Sequence, residues 1–403
     1  MTKKSDAPAI RFKGFSDAWE QRKLGELALF NPKDELPQTF EYVDLESVVG
    51  TEMLSHRTEA KSSAPSRAQR LAHTGDLFYQ TVRPYQKNNY LFEKLDNNYV
   101  FSTGYAQMRP YVDGYFLLSL VQSDRFVKVV LDNCTGTSYP AINANDLAEI
   151  EVAAPPDENE AQKIGTIFRN LDNLITLHQR KFEKLTNVKK SMLEKMFPQN
   201  GSSYPEIRFK GFTDPWEQRK AIDIADYSKG NGYSKGDLTD AGTPIILYGR
   251  LYTKYQFAIS EVDTFAFPRN GAVYSQGNEV IVPASGETAE DIARASAVEK
   301  SGVLLGGDLN ILRPFDFINP LFLALAISNG EPQKELAKKA QGKSVVHIHN
   351  TDIQEVTIAY PSRTEQDRIV SVFRQLDNLI TLHQRELEKL QNIKKSMLEK
   401  MFV

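Results

Sequence analysis

Nucleophiles, phosphate-gripping loops and metal ligands would mark this chain as an enzyme, and the residues that come nearest to each fall short of a working pattern. Gly342-Lys343-Ser344 reads like the end of a phosphate-binding loop, but the glycine needed five residues before the lysine-adjacent glycine is Ala337, so no nucleotide cradle follows. His347 and His349 alternate along an extended stretch and could share a metal ion, yet no third ligand is apparent, and Ala141 and Asn143 stand at the aligned places of an earlier, related segment. Cys134 is the single cysteine and has no activating base near it in sequence. No Asn/Asp-Pro-Pro-aromatic sequence suited to adenine methylation occurs. His178 and His383 fall on an apolar helical stripe, where hydrogen-bonded interface histidines are expected rather than catalytic ones.

Groups that recognise by hydrogen bonding are more plentiful. Arg83, Tyr85, Gln86, Lys87, Asn88 and Asn89 form the densest cluster of polar and aromatic residues in the first half of the chain. Arg250, Tyr252, Lys254 and Gln256 form a comparable cluster in the second half. Thr137 and Ser138 correspond in position to Lys343 and Ser344, and both pairs follow a glycine just before a closing strand. Such side chains on rigid supports can read the base edges of a duplex, and small residues with exposed amides suit close approach to a nucleic-acid backbone. A solvated loop with a turn-forming Asn-Asn is the competing reading of the first cluster.

The elements that would position these groups are written as a repeat. Arg11–Lys23 returns as Arg208–Lys220 with 11 of 13 positions identical, and Phe168–Phe197 returns as Phe373–Phe402 with 25 of 30 identical. The segments between, roughly Leu24–Pro156 and Ala221–Pro361, share almost nothing beyond a short closing stretch. Uniform drift after duplication would not spare one segment and erase its neighbour. Repeated parts should meet the same surroundings twice, and divergent parts should meet different things.

The repeated C-terminal segments have the period of helices. Asp157 with Glu160, and Ser362 with Glu365, each follow a proline and have the spacing of a capping box. Apolar positions then recur at steps of three and four: Ile164, Phe168, Leu171, Ile175, His178 and Leu185 in the first copy; Ile369, Phe373, Leu376, Ile380, His383 and Leu390 in the second. Two matching stripes separated by a whole domain predict that the helices pair with each other, antiparallel and with pseudo-twofold symmetry. The 41 residues Asp157–Phe197 would extend about 60 Å at roughly 1.5 Å per residue, the length of about 15 to 20 base pairs of duplex at roughly 3.4 Å each. The lysines off the stripe, Lys181, Lys184, Lys189, Lys190 and Lys195, read as a solvated or partner-facing surface.

The intervening segments read as mixed α/β (α+β) domains. Strands are expected at Asp76–Val82, Tyr111–Phe116, Pro244–Tyr248, Glu279–Val282 and Ser344–Ile348, and helices at Ser119–Asp132 and Pro320–Ser328. Comparable closing stretches, from Gly136 to Pro155 and from Gly342 to Pro361, predict one fold used twice. The expected organisation is a first domain at 1–156, a spacer helix at 157–198, a second domain at 199–361 opened by a linker at 199–207, and a second spacer helix at 362–403.

Composition sets the outer bounds. The 403 residues exceed one ordinary core, and 41% hydrophobic with 25% charged residues is the make-up of a globular protein. One cysteine fits a reducing, cytoplasmic setting. No charged-then-apolar signal opens the chain, and the apolar run Leu321–Ile327 is too short for a bilayer, so a membrane role is not expected. The net charge of −3 does not advertise a grip on phosphates, so local basic clusters or a partner must supply any such grip.

In its order of parts, the chain resembles the specificity subunits of type I restriction-modification systems. The lead-in Arg-Phe-Lys-Gly-Phe-x-Asp-x-Trp-Glu, the helices opening after proline with Glu-x-x-Lys-Ile or Glu-Gln-Asp-Arg-Ile, and the glycine-to-proline closing stretches carry the likeness over essentially the whole chain. One departure is Ala161, which stands where the second copy has Gln366. The resemblance implies two target-recognition domains that each read half of a split double-stranded DNA sequence. It also implies helices that dock two methyltransferase subunits, and a motor-nuclease subunit that completes the complex. The chain itself would be non-catalytic, with S-adenosylmethionine, ATP and magnesium on the partners. Two other classes remain open at the level of residues: a protein-binding scaffold with two unlike heads, and a stand-alone methyltransferase or nuclease, against which the missing cofactor motifs weigh.

Overall fold

A computed structural model of the chain describes residues 7–403 except positions 97, 137, 343 and 344. The chain divides into two compact units. The first comprises the residues up to Arg180 together with His383–Val403, and the second comprises Lys181–Leu382. Two long helices, Glu158–Lys195 of 38 residues and Arg363–Met401 of 39, are therefore shared out, each contributing its two halves to different units. Among the described residues no helix is long and apolar enough to cross a membrane.

The two units repeat one topology in dissimilar sequence. In the first, one sheet has the order Ala28–Phe30, Tyr105–Pro110, Leu77–Gln80, Tyr90–Leu91, and the other Arg57–Ala60, Thr39–Val43, Tyr99–Ser102, Ala68–Leu71. The second unit has the matching orders Ala225–Lys229, Leu309–Pro314, Glu279–Pro283, Ser296–Val298, with Ala258–Ile259 added at the edge, and Phe265–Ala266, Thr243–Ile246, Ser301–Leu305, Tyr274–Gln276. Both place a parallel pair at the same point, Thr39–Val43 with Tyr99–Ser102 and Thr243–Ile246 with Ser301–Leu305. The repeated lead-in forms a strand against the stretch just before each long helix, Glu20–Lys23 with Glu151–Ala154 and Glu217–Lys220 with Thr357–Tyr360. The central strands Leu77–Gln80 and Glu279–Pro283 are buried along their whole length, as strands covered on both faces must be.

Some local expectations need correcting. Tyr111–Phe116 is not a strand: the strand lies upstream at Tyr105–Pro110, and Asp113 accepts the Phe116 amide at 2.8 Å to cap a helix over Gly114–Gln122. The single helix expected at Ser119–Asp132 is two, because Ser123 caps a second helix at Asp124–Asp132 by accepting the Phe126 amide at 3.2 Å. β-forming residues lost to capping geometry in both places. The last expected strand shrinks to Val346–His347, with Ser344 outside the described residues.

Helix ends close the cores. In the first unit Phe402, from the end of the second long helix, sits 6.2 Å from the Trp19 ring, 5.8 Å from Phe116 and 5.9 Å from Phe168. In the second, Phe197, from the end of the first long helix, sits 6.0 Å from Trp216, 5.6 Å from Phe322 and 6.4 Å from Phe373. Within each unit the helical halves run antiparallel, because rising numbers on one meet falling numbers on the other. Phe168 meets Phe402, Asp172 pairs with Lys394 at 2.5 Å and His178 meets His383 in the first; Asp377 pairs with Lys189 at 2.5 Å and Phe373 meets Phe197 in the second. Burial raises the Asp172 carboxyl in spite of the Lys394 ammonium.

The expected capping carboxylates do a different job. Glu160 and Glu365 are buried, and each takes a two-point hydrogen bond from the arginine that opens the repeated lead-in: Arg11 to Glu160 at 2.6 and 2.7 Å, and Arg208 to Glu365 at 2.8 and 2.8 Å. Fork-on-carboxylate pairing satisfies both oxygens and fixes the lead-in against the helix start. A cation over a ring completes the pattern in both units, Lys163 on Phe15 at 4.8 Å and Arg368 on Phe212 at 5.2 Å.

Truncating the helix-end ring should undo one unit selectively. F402A is expected to destabilise the first unit by about 3–5 kcal/mol, the usual cost of removing a buried phenylalanine. In hydrogen exchange, the amides around Trp19 and Phe116 should open while those around Trp216 and Phe322 stay protected, with F197A giving the reverse.

Candidate nucleic-acid interface

In the first unit the structure brings two separate polar clusters together. The Val82–Ala141 and Thr135–Ala141 bridges, with the Arg83 amide donating to the Pro140 carbonyl at 2.8 Å, lay the loop after Leu77–Gln80 against the stretch around Ser138. Arg83 and Lys87 both have left-handed backbones, with φ of 54° and 56°, and bracket a tight turn at Pro84–Gln86. The Arg83 guanidinium lies over the Tyr139 ring at 4.4 Å. Tyr85 and Tyr139 are 50% and 63% exposed, so the assembly presents aromatic faces to solvent.

Several expected contact residues make hydrogen bonds that hold this loop together. Asn89 is buried and accepts the Gln80 amide at 2.9 Å, Asn88 accepts the Gly50 amide at 2.8 Å, and Gln86 accepts the Gln80 side-chain amide at 2.8 Å. Lys87 pairs with Asp124 at 2.5 Å. Tyr85, Gln86 and Ser138 are exposed, Arg83 is half-buried, and Thr137 lies outside the described residues. Gly136 is left-handed at φ 85°, as is Gly342 at φ 140° in the second unit, where a Cβ would meet the Val345 carbonyl oxygen at 1.9 Å. Both closing stretches therefore demand glycine.

The second unit builds the same frame with other side chains. Ser285–Gly286 pairs with Val346–His347, and Gln341 bridges His347, the counterparts of Val82, Thr135 and Ala141. Here Tyr252 donates to the Ser285 carbonyl at 2.7 Å, the Ser285 hydroxyl and His347 Nδ1 stand 3.2 Å apart, and the Arg294 guanidinium lies 5.6 Å from the Tyr252 ring. The Arg250 side chain is buried and donates to Asp263 at 2.7 Å, to the exposed Gln256 at 3.1 Å and to the Glu261 carbonyl at 2.9 Å. Lys254 also pairs with Asp263, at 2.6 Å. These hydrogen bonds from Lys254 and Arg250 hold the Asp263 carboxyl down at about 2. Lys343 and Ser344 lie outside the described residues.

Tyr139, Arg294 and Asp263 were not foreseen. The partners of Tyr139 and Arg294 lie tens of residues away, those of Asp263 lie 9 and 13 residues away, and no local spacing announces such pairings.

Along the long helices the apolar stripe splits. Ile164 and Phe168 are buried in the first core, and Ile369 and Phe373 in the second. Leu171 and Leu376 pack at the edges of those cores. Ile175, His178, Leu185, Ile380, His383 and Leu390 are half-buried. His178 and His383 face one another with Nδ1 atoms 3.2 Å apart. Beside the stripe, Leu174 and Leu177 are 43% and 45% exposed, and their repeats Leu379 and Leu382 are 43% and 51% exposed.

Burial raises the Cys134 thiol, the opposite of what a nucleophile needs. His349 caps the helix Asn350–Gln354. Among the described residues no three histidine, cysteine or carboxylate side chains gather closely enough to hold a metal.

A family model described as the type I restriction modification DNA specificity domain matches residues 58–187 and 213–392. The chain belongs to the type I restriction-modification specificity family. Among curated relatives of this family, the type I restriction enzyme MjaVIII specificity subunit of Methanocaldococcus jannaschii is 22% identical over 297 residues, covering 71% of this chain and 68% of its own length. The type I restriction-modification S subunit from M. genitalium matches with a TM-score of 0.66 at 14% identity, covering 98% of this chain and 99% of its own, which shows the specificity-subunit fold. The HsdS subunit from Thermoanaerobacter tengcongensis is 22% identical with a TM-score of 0.42, covering 95% of this chain and 96% of its own.

The Asp263 cluster makes a pH-dependent prediction. A carboxyl held below its ordinary 3.8 contributes stability that is present above that value and is lost as pH falls through the lowered one. The side chain is largely exposed, so solvent weakens the effect. Urea midpoints measured at pH 6 and at pH about 2.5 should therefore fall less for D263N than for the parent chain.

Proposed function

We propose that the chain reads a bipartite DNA target, one half-site per domain, inside a type I restriction-modification complex. The observation that carries this reading is the pairing of one frame with two different loop sets. The strand order, the Arg–Glu clamp and the glycine of the closing stretch recur, whereas Arg83 over Tyr139 in one domain is answered by Tyr252, Ser285 and His347 in the other. A duplicated frame with divergent loops suits a protein whose two heads must sit alike on a duplex and recognise different letters.

The exposed leucine pairs support docking of two copies of one methyltransferase subunit. Leu174 with Leu177, and Leu379 with Leu382, lie one helical turn apart on equivalent surfaces, as two identical partners require. The long helices set the gap between half-sites. The chain performs no chemistry; S-adenosylmethionine, ATP and magnesium belong to the methyltransferase and motor-nuclease partners, and the complex acts in the cytoplasm on double-stranded DNA. The partners also supply phosphate contacts that a chain of net charge −3 does not.

Exchanging Leu24–Ala153 for the same domain of a relative, and mapping methylated sites in cells, tests the central claim. One half-site should change while the other half and the gap stay put; unaltered methylation would mean that the heads bind something other than DNA. Lengthening both helices by one turn should alter the gap or abolish activity. For docking, L174D/L177D should reduce the assembled complex from two methyltransferase copies to one by native mass, and adding L379D/L382D should remove the second.

A further inference from the structure

Resting on the DNA-reading assignment above, we propose that Arg83 reads a guanine in the first half-site, with Tyr139 as the residue that positions it. Four features of the loop converge on this arginine. Its backbone is left-handed at φ 54°, a conformation that costs a non-glycine residue energy and persists where surrounding structure enforces it. The enforcement is visible. The Arg83 amide is tied to the Pro140 carbonyl at 2.8 Å, Pro84 sets the next turn, and Lys87, also left-handed at φ 56°, closes it.

The head group is prepared as well. The guanidinium lies over the Tyr139 ring at 4.4 Å, and stacking fixes its plane while leaving the nitrogen edge open. Among the described residues no carboxylate forms an ion pair with it. Arg250, in the comparable cluster of the second domain, is instead occupied by Asp263, Gln256 and the Glu261 carbonyl. A half-buried arginine fork held over a ring and free of a carboxylate matches the O6 and N7 acceptors on the major-groove edge of guanine.

The second domain cannot read its half-site this way. The shared frame places Ser285 where the first domain has Val82, so Gly286 stands at the place of Arg83 and Val345 at the place of Tyr139. A Cβ on Gly286 would meet Tyr252 Oη at 2.7 Å, so the position is closed to any longer side chain unless Tyr252 moves. Readout by an arginine at this position of the frame is thus confined to the first domain.

The test uses the chain assembled with its methyltransferase subunits, and the target found by mapping methylation. Each guanine of the first half-site is replaced in turn by 7-deazaguanine, which keeps base pairing and loses the N7 acceptor. One such position should weaken binding by the parent complex about tenfold. R83G, which relieves the left-handed backbone and so spares the fold, should weaken binding to the unmodified duplex by a similar factor and become indifferent to that one substitution. R83K keeps the charge without the fork and should behave like R83G. Y139L should reduce discrimination at that guanine only, whereas Y139F retains it. Responses to substitutions in the second half-site should not move in any variant. The proposal is overturned if R83G keeps the full deazaguanine response, or if the first half-site has no guanine to which the parent complex responds. Should the parent complex bind its mapped target no better than unrelated duplex, the DNA-reading assignment itself falls, a result distinct from the other two.

Discussion

Each domain's core is finished by a ring that arrives from the far end of a helix belonging partly to the other unit. Phe402 seats among Trp19, Phe116 and Phe168, and Phe197 among Trp216, Phe322 and Phe373. Neither helix can be shortened, lengthened or rotated without withdrawing a buried aromatic residue from one of the two cores. That constraint explains why the helical segments resist divergence: a substitution must be compatible with two packing environments, at the start of the helix and at its end. The acid–base pairs Asp172–Lys394 and Asp377–Lys189 add a register lock, because a slip of one residue would separate both.

Freedom is concentrated where these constraints do not reach. The lead-in, the helix start and the closing glycine are tied by Arg11–Glu160 and Arg208–Glu365 and by the left-handed Gly136 and Gly342, and all recur. The loops carried on the central strands pair with the closing stretches through backbone groups, so their side chains are free to differ between the domains. They can exchange Arg83 and Tyr139 for Gly286 and Val345 without disturbing the frame. A protein built in this way can change what one head recognises while keeping how both heads are mounted.

Periodicity and repetition make the architecture legible in the sequence. The stripe through Ile164 and Phe168, its copy through Ile369 and Phe373, and the paired closing stretches sufficed for helices and for one domain fold used twice. Short-range rules failed where a distant partner decided the outcome. Glu160 and Glu365 have capping-box spacing, yet an arginine far away in sequence, Arg11 or Arg208, takes the carboxylate. Tyr111–Phe116 has strand-forming residues, yet the Asp113 cap turns them into a helix start. Among the expected contact residues, composition could not separate Arg83, stacked on Tyr139, from Arg250, neutralised by Asp263; that distinction depends on contacts closed by the fold.

The charge balance now has a structural reason. Cations on the heads are repeatedly matched by acids: Lys87 by Asp124, Arg109 by Asp76 and Asp34, and Arg250 and Lys254 by Asp263. A head so neutralised draws little affinity from phosphates and therefore little binding that ignores sequence. Under the proposed DNA-reading role, discrimination then falls to the few groups left unmatched, and affinity comes from whatever else encloses the duplex. Separating the two functions has a thermodynamic consequence: a wrong letter at the reader is not masked by a strong, sequence-blind grip from the same chain, so a small number of oriented side chains can decide whether the assembled complex engages.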